Sequence, residues 1–179
     1  ITLAAAGPAA AEDLQSFYKG KQIKLVVGSS AGGGYDTYAR TIARHMGNFI
    51  PGKPGYVVQN MPGGSSRKAA NYLYNIAPKD GTAMAAVFSG IPAEPLMNPS
   101  LVKFDARKFN WIGSATRDSQ AGMVWHTSPT QTLSDALTKT MIVGASGGAT
   151  WDFPMLANAI LGTKFKIITG YSGTKEIAL

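Results

Sequence analysis

The 179 residues are 45% hydrophobic and 15% charged, the profile of an ordinary globular chain that buries one sizeable core or two small ones, and not of a disordered tail. Against 10 Asp and Glu stand 17 Lys and Arg, a net charge of +7, but the excess is thinly spread: the densest cluster, Lys19, Lys21 and Lys24, reads as a solvated lead-in to a strand, and no basic run demands a nucleic acid. The absence of Cys excludes disulfides and thiolate metal sites.

In chain order, residues 1–11 (ITLAAAGPAAA) are small and apolar and end in three alanines before Glu12 and Asp13, the pattern of a signal-peptide remnant with cleavage expected after Ala11. No later stretch approaches the apolar length of a membrane span, so the mature protein is expected to be soluble and not itself membrane-spanning. Residues 23–27 (IKLVV) form a continuous apolar, largely β-branched run stopped by Gly28, as in a central strand buried on both faces. Tyr38, Ile42 and Met46 then recur at helical spacing over 36–46, with Gly47 and Asn48 as the stop. A strand at 56–59, a helix at 68–76 ended by Pro78 and a strand at 82–88 complete a βαβαβ order, which makes a mostly parallel sheet.

Pro92, Pro95 and Pro99 interrupt the next stretch, and a domain boundary is placed there, giving a first α/β domain over 12–104 and a second over 105–179. The second alternates again. Extended patterns are predicted at 109–114, 123–126, 141–145 and 165–169, and helices at 132–138 and 153–161. A last helix has barely begun at 173–179, a poor place for a domain to end, so the fold is expected to be incomplete at the C-terminus.

In α/β sheets, ligands bind beyond the carboxyl ends of the strands, where helix N-termini offer unpaired N–H groups. Four loops are candidates. Ser29, Ser30, Ala31, Gly32, Gly33, Gly34 and Tyr35 lead from the first strand to a helix that Asp36 is placed to cap. Ser146, Gly147, Gly148, Ala149 and Thr150 repeat that arrangement, and Ser89-Gly90 and Tyr171-Ser172-Gly173-Thr174 are shorter versions with hydroxyl donors. Residues 63–66, after Pro62, form a fifth turn with no preference between ligand contact and plain connection.

Two enzymatic motifs compete with a binding role. Residues 144–148 fit G-x-S-x-G, the nucleophile elbow of a serine esterase with Ser146 as nucleophile, but both histidines, His45 and His126, precede Ser146, whereas that fold takes its base from downstream. The glycine triplet lacks the spacing of dinucleotide or P-loop phosphate cradles, and no His and carboxylate pairs stand at metal-ligand spacing.

Read in order, IKLVVGSSAGGGYDTYAR, VVQNMPGGSSRKAANYL, APKDGTAMA, GASGGATWDFPMLANAILG and ITGYSGTKE resemble the substrate-binding receptors of tripartite tricarboxylate transporters, the Bug family, over residues 23–176. The resemblance implies a two-domain clamshell, exported to the periplasm, that closes on a small organic acid and delivers it to integral membrane subunits, with no catalysis and no cofactor. It also implies a ligand carboxylate held mainly by backbone amides, hydroxyls and waters from the four loops. The first loop departs from the family pattern: Ser29, Ala31 and Tyr35 stand where that family commonly has an aromatic residue, a proline and a following Thr. Tyr35, Trp151 and Tyr171 are candidates to frame a bulky acid, although Trp151 reads equally as packing under its helix. A stand-alone sensor serving a signalling partner shares this binding chemistry and is not distinguished from it by sequence.

Overall fold

The computed structural model describes residues 13–117, 121–171 and 173–178; the signal-peptide segment and Ser172 lie outside them. After a short helix α1 (Leu14–Tyr18), strands β1 (Gln22–Val27), β2 (Gly55–Asn60) and β3 (Ala83–Ala86) form a parallel sheet in the order β2-β1-β3. Helices α2 (Gly34–His45) and α3 (Arg67–Asn75) make the two crossovers. β1 is central, as its unbroken apolar run requires: Val26 and Val27 are fully buried, and Ile23 and Leu25 nearly so.

Side chains alternate across that sheet. Leu25 and Val27 meet Ala39 of α2 together with Val58 and Met84 of the flanking strands. Lys24, which precedes Leu25, points to the α3 side, where its ammonium donates to the Tyr72 hydroxyl at 3.1 Å. A second cluster gathers Ala70 of α3 with Ile91, Phe104 and Ala106 and is edged by Tyr74 and Phe109.

Helix α4 (Glu94–Met97) interrupts the proline-rich stretch. Further on, α5 (Leu133–Thr138), β4 (Met141–Ala145), α6 (Ala149–Leu161), β5 (Phe165–Thr169) and α7 (Thr174–Ala178) follow, with β4 and β5 paired in parallel. The side-chain amide of Asn158 joins α6 to the start of β5: it donates to the Phe165 carbonyl and accepts from the Phe165 N–H, both at 2.9 Å. The molecule is therefore α/β with parallel sheets, as expected.

Four details differ from the sequence reading. α2 starts at Gly34 with Gly33 in the cap position, so Asp36 lies inside the first turn and does not cap it. The inward face of α2 is Ala39 and Ala43, while Tyr38 is exposed. α6 begins at Ala149, four residues before the expected start, because the Gly148 carbonyl already accepts from Trp151 and Asp152; Pro154 sits in the second turn, where its missing N–H forgoes one bond. The extended patterns at 109–114 and 123–126 form no ladder. Phe109 and Trp111 stack in an aromatic chain with Phe104, and the Trp111 indole N–H returns to the Ala106 carbonyl at 3.0 Å. The Trp125 carbonyl closes a turn onto the Ser128 N–H at 2.9 Å.

Candidate ligand-binding cleft

Register brings the carboxyl ends of β1, β2 and β3 together, with Val27 opposite both Asn60 and Ala86. Ser66 locks this end. Its wholly buried hydroxyl donates to the Gly28 carbonyl at 3.0 Å and accepts from the Phe88 N–H at 3.1 Å. Gly28 is required by that approach, since a Cβ there would fall 2.4 Å from the Ser66 oxygen.

Asp36 shapes the glycine loop from below. Its carboxylate accepts from the Gly32 N–H at 2.9 Å, from Arg40 Nε at 2.8 Å and from Asn60 Nδ2 at 2.8 Å, while Asn60 also donates to the Ser29 carbonyl at 3.0 Å. The Arg40 hydrogen bond, ahead of those from Gly32 and Asn60, overcomes burial and holds the Asp36 carboxyl at about 2. The loop is thus held through Asp36 by Arg40 of α2 and Asn60 of β2, and the first N–H groups of α2 have no intrahelical acceptor. Beside them Ser29 is 6% exposed, and its hydroxyl makes no hydrogen bond among the described residues.

Ser29 opens on a cavity of about 330 Å³ whose wall includes Ser30, Ser65, Phe88, Ser146 and Tyr171. An adjoining cavity of about 300 Å³ shares Ser65, Ser146 and Tyr171 and continues to Gly147, Trp151, Arg67, Glu94 and Asn98. The carboxyl ends of both sheets therefore border one cleft, with Ala145 and Thr169 on the far side from β1. Each volume is near the lower end of the range for small-molecule sites.

Of the sequence-derived candidates, Ser29, Ser30, Ser146, Gly147, Trp151 and Tyr171 are brought together on these walls. Ala31, Gly32, Gly33, Gly34, Tyr35, Asp36, Ser89, Gly90, Gly148, Ala149, Thr150, Gly173 and Thr174 do not line either cavity. Several of these have structural contacts instead. The Tyr35 ring packs on Phe88 at 4.7 Å, and its hydroxyl accepts from the Ser89 N–H at 3.4 Å. Gly148 lies against the Phe88 ring, and Gly90 against Asp152 Oδ2. Thr150 Oγ1 accepts from the Ser146 N–H at 3.0 Å, donates to the Gly147 carbonyl at 2.9 Å and lies 3.5 Å from Ser146 Oγ. No imidazole is hydrogen-bonded to Ser146 among the described residues.

Sequence reasoning left Ser65 undecided and passed over Arg67, Glu94 and Asn98. Gly63, Gly64, Ser65 and Ser66 all have positive φ, at 130°, 55°, 53° and 71°. Two serines held in the left-handed region cost on the order of 1 kcal/mol each, a strain that collects at functional sites. The turn thrusts Ser65 against the second glycine loop, where a Cβ on Gly147 would meet the Ser65 hydroxyl. The Pro-Gly-Gly-Ser-Ser run was the available signal. At the cleft's other end Arg67 Nη1 donates to Glu94 Oε2 at 3.0 Å, and Asn98 Nδ2 donates to the same oxygen at 3.0 Å. Burial, and secondarily the Glu94 charge, raises the Asp152 carboxyl above its usual range.

Among the described residues no group of His, Asp and Glu is placed to hold a metal ion, and no helix is long and apolar enough to cross a membrane. No protein-family model matches the sequence, and no curated protein matches it. Solved structures do match. One, a periplasmic transporter, aligns with a TM-score of 0.65 at 20% identity, over 89% of this chain and 55% of its own. R. palustris Rpa4515 with adipate aligns with a TM-score of 0.63 at 21% identity, again over 89% and 55%. A TctC solute binding protein from Polaromonas, without ligand, gives a TM-score of 0.50 at 20% identity over 90% and 56%. The chain shares its fold with these structures and spans little more than half their length.

Proposed function

We propose that the chain is an exported, periplasmic receptor of the Bug type that captures a small organic acid between two α/β lobes, residues 12–104 and 105–179, and delivers it to the integral membrane subunits of a tripartite tricarboxylate-type transporter. The observation that carries this reading is the Ser29 hydroxyl, buried without a partner where the ends of both sheets meet. A buried hydroxyl left unsatisfied costs about 1–3 kcal/mol, and a carboxylate placed in the cavity would remove that cost by accepting its proton. The hydroxyls of Ser65 and Ser146, on the walls of both cavities, extend the same preference for an acceptor-rich anion. Rpa4515 with adipate and the TctC solute binding protein, among the structural neighbours, support the reading by fold.

Function on this account is closure and not chemistry. A solute touching Ser29 on one side and Ser146 or Tyr171 on the other favours the state in which the glycine loops abut, because only that state supplies both sets of contacts. The test is a thermal-shift panel of monocarboxylates, dicarboxylates, tricarboxylates, aromatic acids and amino acids on the purified chain and on Ser29→Ala. An acid present at a hundred times its Kd adds about 2.7 kcal/mol. Stabilisation by one acid class, weakened in Ser29→Ala, is the expected result. Ester turnover that disappears in Ser146→Ala would overturn the receptor reading in favour of a hydrolase.

A further inference from the structure

The two cavities meet at Ser65, Ser146 and Tyr171, so a ligand seated at Ser29 extends toward Arg67, Glu94 and Asn98. These ends differ in charge. At Ser29 the lining carries hydroxyls, backbone and the Phe88 ring but no charged side chain, whereas at the other end an arginine is already bound to a carboxylate. Glu94 is 6% exposed; its Oε2 holds both Arg67 and Asn98, and its Oε1 makes no hydrogen bond among the described residues. Asp152, at the start of α6, stands beside Gly90 and close enough to Glu94 for their charges to oppose. In the lining Glu94 thus accompanies one guanidinium, with Asp152 behind it and outside the lining, and Trp151 and Tyr171 form the adjacent wall.

Resting on the reading of this cleft as an organic-acid site, we propose that the Glu94 end selects a protonated amine, so that the preferred solute is an amino acid with its ammonium distal to the carboxylate, and not a dicarboxylate. An ammonium there would take the open Glu94 oxygen, lie near Asp152 and face two aromatic rings that attract cations. A second carboxylate would find the Arg67 charge already matched by Glu94 and would meet like charge in a confined site. The opposition between the Asp152 and Glu94 charges is relieved by a cation and worsened by an anion.

Calorimetric titrations with pairs that differ only in the distal group decide the matter: γ-aminobutyrate against glutarate, and δ-aminovalerate against adipate, with butyrate and valerate as acids lacking a distal charge. The expected result is a preference for the amino member of at least one pair by about tenfold or more, the scale of removing one like-charge contact. Glu94→Gln should abolish that preference. Asp152→Asn, which leaves the Arg67 ion pair in place, should reduce it. Equal or tighter binding of the dicarboxylates overturns this inference while leaving the receptor reading intact. Failure of every acid to bind, here and across the wider panel, overturns both.

Discussion

β1 and β4 are alike in composition and unlike in fate. Both are parallel strands of mostly apolar residues that run into a glycine-rich turn at the cleft. In β1 Val26 and Val27 are fully buried, with a strand on each side and a helix on each face. In β4 Ile142 is 69% exposed, β5 is its one strand partner among the described residues, and α6 buries none of its residues. Apolar content alone therefore does not decide burial; the layers around a strand do, and parallel sheets are ordinarily covered on both faces. The cleft joins a rigid half, built on β1, to a half held by fewer contacts.

The sharpest way to break the comparison is to truncate the same kind of side chain in each strand. Leu25→Ala removes a large side chain from the packed centre and should cost about 2–5 kcal/mol, whereas Ile142→Ala, at an exposed site, should stay within about 0.5 kcal/mol. Urea denaturation of both variants measures the difference. Equal losses would mean that β4 is sealed in solution and that the asymmetry is false.

The cores of both sheets were legible because their strands are dense in β-branched residues: the runs at 23–27, 141–145 and 165–169 lie where the sequence put them. The segments at 109–114 and 123–126 have equally extended patterns, but aromatic stacking through Phe109 and a turn closed by the Trp125 carbonyl claimed them first. In the cleft, the loops at Ser29 and Ser146 followed from strand-to-helix turn chemistry. Arg67 and Glu94 did not, because 27 residues separate them and only the docking of α3 against α4 makes them a pair. Asp36 read as a cap from its position, yet one of its partners, Asn60 at the end of β2, is in place only once the sheet has formed.

A smaller effect probes the rigid half through that residue. Asp36→Asn removes hydrogen bonds made by a charged, buried group and should cost about 1.5–3 kcal/mol at neutral pH. Because the folded protein holds this carboxyl at about 2, below its ordinary 3.8, its contribution is full above the ordinary value and fades as the pH falls towards about 2. The stability difference between wild type and Asp36→Asn should therefore narrow across that window. A difference unchanged down to about pH 2 would show that the loop is held by something other than this ionised group.

The smallest effect belongs to the less sealed half, and it tests whether local chemistry replaces missing cover there. α5 is only six residues long, too short to persist by propensity. It is closed at its start by a reciprocal box: Thr132 Oγ1 accepts from the Asp135 N–H at 3.1 Å, and the Asp135 carboxylate accepts from the Thr132 N–H at 3.0 Å. Lys164, entering β5, then donates its N–H to the Ala136 carbonyl at 2.6 Å, so the cap orders the strand as well as the helix. Thr132→Ala should cost about 1 kcal/mol. Hydrogen exchange should quicken at Lys164 and Met141 along with α5, while the amides of β1 keep their protection. If exchange quickened in α5 alone, the helix and the β4–β5 pair would be separate units, and the weaker half of the cleft would owe its order to Asn158 and not to this cap.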